Sequence, residues 1–198
     1  MSPIATTAVL WLAWIASWFL AAMWNRRVAA RLPLLARLPD SVITVAGGLL
    51  IVHAVRLRLG VPADPFGEAL LWRLPPIAGW PFTALALLGF AFTWWARLTL
   101  GDLWSGSVTR KERHVVVETG PYGLVRHPIY TGLILAAFAF AIQIGYASAL
   151  VGAALMAGGF ALKARLEERF LSAELGEAAY GPYRRRTPML VPFWPLRD

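Results

Sequence analysis

Residues 128–166 read PIYTGLILAAFAFAIQIGYASALVGAALMAGGFALKARL, and no charge appears before Lys163. A bilayer crossing needs about 20 apolar residues, so this stretch is long enough for two, which meet with almost no loop around Tyr146 to Ser148. We read a span over Pro128 to Tyr146, a second over Ala147 to about Leu166, and an antiparallel hairpin between them. In such a hairpin, residues equally far from the apex share a depth. His127 and Glu167 are equidistant from Ala147. At about 1.5 Å per residue both descend about 30 Å, which sets His127, Tyr130 and Glu167 near one boundary of the hydrocarbon.

Working outward, three further apolar windows run over Pro3 to Trp24, Ser41 to Leu59 and Ile77 to Ala96. The expected fold is therefore an all-α integral membrane protein of about five transmembrane helices. Span two needs Arg56 and Arg58 to snorkel toward the interface. The first window has no basic residue before it and Arg26 and Arg27 after it, the reverse of a secretory signal, so it is expected to stay as a span. The chain of 198 residues is 58% hydrophobic and 15% charged, which argues against a water-soluble globule, and its 10 Trp and 10 Phe argue against disorder. With no cysteine there is no disulfide scaffold, thiolate zinc site or cysteine nucleophile. The net charge of +8 reads as basic loops on an anionic membrane face rather than as a nucleic-acid surface. Placing the N-terminus outside leaves every Lys and Arg except Arg56, Arg58 and Arg73 on the inner side, as the positive-inside rule favours. In the outer loop from Gly60 to Pro81, Trp72 and Trp80 look like interface anchors. No linker divides the chain, so residues 1–198 are expected to form one membrane domain.

Polar residues that solubility does not explain gather in Arg97 to Tyr130 and Lys163 to Arg186. Span four opens with Arg126-His127-Pro128-Ile129-Tyr130, where Pro128 suits the first helical turn. Glu167 and Glu168 repel each other and lose hydration at a membrane boundary, so they require a cation. Lys163 and Arg169 are the plain intramolecular candidates, and a bound cation is the sharper alternative. His114-Val115-Val116-Val117, followed by Gly120-Pro121-Tyr122-Gly123, reads as a short extended piece ending in a turn. Taken alone, Glu174 to Trp194, with Tyr180, Tyr183 and Arg184-Arg185-Arg186, reads as a basic amphipathic tail lying on the bilayer. His53, inside span two, reads as a hydrogen-bonded helix contact.

These blocks, in this order, resemble the isoprenylcysteine carboxyl methyltransferase and phospholipid methyltransferase superfamily, in particular its prokaryotic integral membrane members with five spans. The resemblance rests on His114-Val-Val-Val with Gly120-Pro121-Tyr122, on Arg126-His127-Pro128-Ile129-Tyr130-Thr131-Gly132, and on Glu167-Glu168 followed by Leu175-Gly176, Tyr180, Tyr183 and Pro192-Phe193. It covers about Leu100 to Trp194. By this resemblance, residues 1–99 hold three N-terminal spans and 100–198 form the cofactor-binding half. The pocket is then built on the cytosolic side from the loop before span four, the start of span four, the end of span five and the C-terminal segment.

The resemblance implies S-adenosylmethionine as methyl donor. His114, Val115, Val116, Val117 and Tyr122 match the segment that cradles it. Arg126, His127, Pro128 and Tyr130 match the stretch closing over it, and Glu167, with Glu168 beside it, the acidic ligand. Lys163 falls where the eukaryotic carboxyl methyltransferases are expected to have a substrate-binding Arg, and with Arg165 it is the expected substrate contact. No metal site and no nucleic-acid partner are expected. The implied acceptor is a lipophilic or prenylated molecule in the bilayer, methylated on a carboxylate, with a phospholipid or small amine as the alternative. An NADPH-dependent membrane reductase of the sterol-reductase kind and a non-enzymatic membrane protein are the rivals. The implied location is the bacterial inner membrane.

Overall fold

Gly145 decides where the hairpin turns. The computed structural model describes residues 1–22, 30–31, 34–61, 69–101, 109–110 and 116–194. Within these, helix α4 (Pro128–Ile144) is stopped by Gly145, whose left-handed φ of 79° suits glycine and whose N–H returns to the Ala141 carbonyl. Helix α5 (Ala147–Leu175) starts two residues later. The expected fourth span reached Tyr146; it ends at Ile144 because the left-handed residue comes first. Residues 69–72 strap this apex. Leu71 N–H donates to the Gly145 carbonyl at 2.8 Å, Ala147 N–H to Ala69, and Trp72 Nε1 to the Ile142 carbonyl at 2.8 Å. Trp72 is thus more than an interface anchor, since its indole N–H holds a carbonyl that the end of α4 leaves without a helical donor.

The other helices are α1 (Pro3–Ala22), α2 (Leu34–Arg58), α3 (Pro76–Leu100) and α6 (Glu177–Arg186). A two-residue antiparallel pair, β1 (Ala30–Arg31) with β2 (Thr109–Arg110), is a small addition to the all-helical expectation. Helices α1, α2, α3 and α5 are long and apolar enough to cross a membrane, while α4 is shorter at 17 residues. At about 1.5 Å per residue the 29 residues of α5 reach about 43 Å, so its last turns extend past a hydrocarbon layer of about 30 Å. The expected second span began at Ser41. The helix instead begins at Leu34, runs through Pro39 and carries Asp40 into the packed bundle.

Close backbone contact, rather than large apolar side chains, sets the helix spacing. Between membrane helices small residues permit this approach. A Cβ on Gly47 of α2 would lie 2.5 Å from the Gly152 carbonyl of α5, and one on Gly89 of α3 would lie 2.5 Å from the Gly132 carbonyl of α4. Polar contacts fix the sliding position. Gln143 Nε2 donates to the Gly79 carbonyl and to Thr83 Oγ1, each at 2.7 Å, and Thr83 meets Thr7 of α1 at 3.0 Å. Farther along, Trp14 Nε1 donates to Thr93 Oγ1 at 2.7 Å. These pairings run α1 and α3 in the same direction and α2 and α4 against their partners α5 and α3. The starts of α2 and α4 and the ends of α3 and α5 therefore meet at one end of the bundle.

Candidate active site

At that end the hairpin brings together residues that 37 to 42 positions of sequence separate. Tyr130, in the first turn of α4, donates its hydroxyl to Glu167 Oε1 at 2.6 Å. His127 precedes the helix and stands between two carboxylates, with Nε2 3.1 Å from Glu168 Oε1 and Nδ1 3.4 Å from Glu167 Oε2. Arg126 Nε donates to the same Glu168 oxygen at 2.7 Å. The expected equal depth of His127, Tyr130 and Glu167 is thus realised. The intramolecular cations expected for the Glu pair, Lys163 and Arg169, are replaced by Arg126 and His127. Arg126 and His127, just ahead of α4, face α5 across the hairpin, whereas Lys163 Nζ lies over the Tyr130 ring, 5.5 Å from its centroid.

The electrostatics follow from that geometry. An imidazole with a carboxylate against each nitrogen is a double donor, which is the imidazolium form. Burial by itself depresses the His127 pKa, but the hydrogen bonds and charge of Glu167 and Glu168 outweigh burial and raise it above the ordinary histidine value. Arg126 and His127 together match the two negative charges. The side chain of Glu167 is 20% exposed and that of Glu168 12%, so Glu167 is the more open acceptor. The Tyr130 ring lies nearly parallel to those of His127 and Phe160, with centroids 5.6 and 5.2 Å away.

The C-terminal segment completes the wall. The N–H groups of Arg126 and His127 donate to the carbonyls of Pro188 and Met189 at 2.9 and 3.1 Å, and Thr131 Oγ1 donates to Leu190 at 2.6 Å. Arg126 Nη1 donates to the Arg184 carbonyl at 2.8 Å and also to Thr187. Tyr183 donates its hydroxyl to the Tyr122 carbonyl at 2.8 Å, and Arg186 pairs with Glu118. The tail is therefore not an amphipathic segment resting on lipid: Tyr180 and Tyr183 are only 2% and 3% exposed. Burial raises the phenol pKa of Tyr122, Tyr180 and Tyr183, keeping all three as donors.

Of the other expected site residues, Val116 and Val117 lie in irregular backbone ahead of the 3-10 turn Gly120–Gly123, as the extended-then-turn reading anticipated. Gly120 takes a φ of 58°, which seats the turn against Trp95 and Thr99 of α3. His114 and Val115 fall outside the described residues. Pro128 is buried at the first position of α4. Arg165 is exposed on α5 and is not among the side chains gathered around Tyr130. Two buried ionisable residues were missed. Arg97, in α3, donates from Nη1 to the Gly101 carbonyl at 2.9 Å. Asp40, in α2, is 3% exposed. A charge at the edge of an apolar window is the signal that marks both. Among the described residues no group of three or more His, Cys, Asp or Glu is placed to hold a metal ion.

Two likenesses to known proteins bear on the chain. The cobalt-zinc-cadmium resistance protein CzcN of Cupriavidus metallidurans (strain CH34) is 32% identical over 99 residues, a match covering 48% of this chain and 44% of that protein. The present chain thus matches less than half the length of that relative. The isoprenylcysteine carboxyl methyltransferase (ICMT) family matches residues 82–173, a stretch that begins one residue before Thr83 and includes the glutamate pair. Over this stretch, which contains most of α3, all of α4 and nearly all of α5, the chain is similar to the isoprenylcysteine carboxyl methyltransferase family.

Proposed function

We infer that the protein is an S-adenosylmethionine-dependent methyltransferase whose acceptor is a lipophilic, membrane-embedded carboxylate of the isoprenylcysteine kind. The observation that carries this reading is the Tyr130–Glu167–His127–Glu168–Arg126 assembly at a helix-bundle end. The donor chemistry of the site fits the cofactor. A sulfonium compound with an ammonium group needs acceptors, and Glu167 offers a partly open carboxylate, while irregular backbone at Val116 and Val117 offers carbonyls and amides. When bound, the cofactor supplies an electrophilic methyl group. Everything else falls to the chain.

Tyr130 and His127 hold the Glu167 carboxylate in one orientation. Arg126 and Glu168 lock the C-terminal wall, which limits water at the reacting end. Positioning and water exclusion of this type contribute about 7–11 kcal/mol when the geometry is good. Lys163, above the Tyr130 ring, supplies the cation for an anionic acceptor. A carboxylate needs no general base near pH 7. An amine acceptor does, and His127, whose pKa is raised by a carboxylate beside each nitrogen, is biased toward its protonated form and poorly suited to serve as one. That distinction favours the carboxylate over the phospholipid or amine alternative.

Calorimetric titration of the purified protein with S-adenosylmethionine, and in parallel with NADPH, tests the cofactor: binding of the first and not the second is expected. Radiolabelled methyl transfer to a prenylcysteine analogue should give base-labile label, as an ester does. Base-stable label, or label confined to phosphatidylethanolamine, would replace the acceptor while keeping the methyl transfer. The membrane is proposed to be a bacterial inner membrane, with the site on the cytosolic side.

A further inference from the structure

Arg165 and Arg169 are the two cations of α5 that the scheme above leaves unused. Both are exposed, and among the described residues neither makes an ion pair or a side-chain hydrogen bond. Glu168, three positions after Arg165, is taken up by Arg126 and His127 instead. At about 100° of rotation per residue, each arginine lies about 160° around the helix from Glu167, so the pair faces away from the hairpin. It continues an open stripe. Val151, Ala154, Gly158 and Leu162 precede it at spacings of three or four and are exposed too, while Gly159 and Ala164 beside the stripe are buried. An open apolar stripe on a membrane helix faces hydrocarbon. By helical rise, Arg165 and Arg169 stand about 27 and 33 Å along α5 from Ala147, on either side of the depth of about 30 Å at which the hydrocarbon ends. That is the level of lipid phosphates.

Like charges one helical turn apart repel, and an anion between them removes that cost. A guanidinium presents a fork of donors that matches the oxygens of a phosphate, so two forks one turn apart can hold a single phosphate between them. A zwitterionic head group brings an ammonium of its own, which a doubly cationic site opposes; a head group of net negative charge does not. A Cβ on Gly158, about two turns deeper, would meet nothing within 4 Å, which leaves room along the stripe for an acyl chain. We propose that Arg165 and Arg169 form a binding site for an anionic phospholipid, both guanidiniums gripping its phosphate and an acyl chain lying along Leu162 and Gly158. The bound lipid fixes the depth of the α5 end that carries Glu167 and Glu168. This assignment stands independently of the methyl-transfer reading and of which face of the membrane the site occupies.

The test titrates the full chain, purified in detergent, with phosphatidylglycerol and with phosphatidylcholine of the same acyl chains, and reads the dissociation constant of the first bound lipid by native mass spectrometry. The parent should prefer phosphatidylglycerol by about 10-fold or more, as two arginines near a charged lipid surface supply. Arg165→Gln with Arg169→Gln should bring the two lipids within about twofold. Arg165→Lys with Arg169→Lys keeps both charges but loses the forks; it should cut the preference at least about threefold, and it covers the case in which the Gln pair does not fold. Arg184→Gln with Arg185→Gln removes the same net charge from α6 and should leave the preference within about twofold of the parent. No preference in the parent, an undiminished preference in either the Gln or the Lys pair at 165 and 169, or an equal loss with the α6 pair each overturns the assignment.

Discussion

The Tyr130 hydroxyl donates to Glu167 Oε1 at 2.6 Å across the hairpin, from the first turn of one helix to the sixth turn of the next. This bond joins the two halves of the site and leaves Oε2, which faces His127 Nδ1 at 3.4 Å, as the oxygen for which a cationic ligand would compete. Its neighbour Glu168 makes a different set of contacts, with Arg126 and His127. The adjacent acids therefore have separable roles.

Glu167→Gln is expected to weaken S-adenosylmethionine binding by roughly 1.5–3 kcal/mol, the scale of a hydrogen bond to a charged group. Calorimetry on folded variant and parent checks this. Equal affinities would remove Glu167 from the cofactor site.

Glu168→Gln should instead act on stability. Arg126 and Glu168 have side-chain exposures of 8% and 12%, so removing the acid strands a buried guanidinium, at a cost of roughly 3 kcal/mol. Thermal unfolding in detergent should show a clear fall in Tm. Proteolysis should cut the C-terminal segment first, because Arg126 is what ties that segment to Arg184 and Thr187.

His127 makes stability and binding depend on pH. Its folded pKa lies above the unfolded value of about 6.5, so its stabilisation is fully present below that value and is lost as pH rises through the folded pKa. A cationic ligand taking Glu167 competes with the imidazolium. S-Adenosylmethionine binding should therefore release a proton, detectable as a dependence of calorimetric heat on buffer ionisation enthalpy. His127→Gln should abolish that dependence.

The glycine contacts between helices predict a sharp contrast. Gly89→Ala forces a Cβ toward the Gly132 backbone, which cannot rotate away, and should destabilise by about 1–3 kcal/mol. Gly158→Ala meets nothing within 4 Å and should be neutral or stabilising by up to about 1 kcal/mol. Thermal unfolding of the two variants side by side checks the seam, and an equal loss in both would show that α3 and α4 do not pack through Gly89.

Topology is tested by cysteine labelling in cells, using the absence of native cysteine. Cys at Ser2 should react from outside, and Cys at the exposed Ala178 of α6 only from the cytosol. The opposite pattern would invert the whole proposed orientation.

Helical rise is nearly constant, so an uncharged run long enough for two spans was enough to place His127, Tyr130 and Glu167 at one depth from sequence alone. The positions of Arg126, His127 and Glu168 in the site were legible for the same reason, and the family's residue pattern reinforced them. Which side chain neutralises Glu168 was not legible, because Lys163 and Arg169 are near it in sequence and only helix rotation shows that Arg126 faces it. The C-terminal wall was hidden for a different reason. It is built on the carbonyls of Pro188, Met189 and Leu190, and every residue has a carbonyl, so nothing in the side-chain pattern distinguishes these three. Asp40 fell at the edge of an apolar window, where sequence hydropathy assigns a charge to water. Only the seating of α2 on Gly159 decides that it is buried, since a Cβ there would hold the helices apart and leave the carboxylate in solvent.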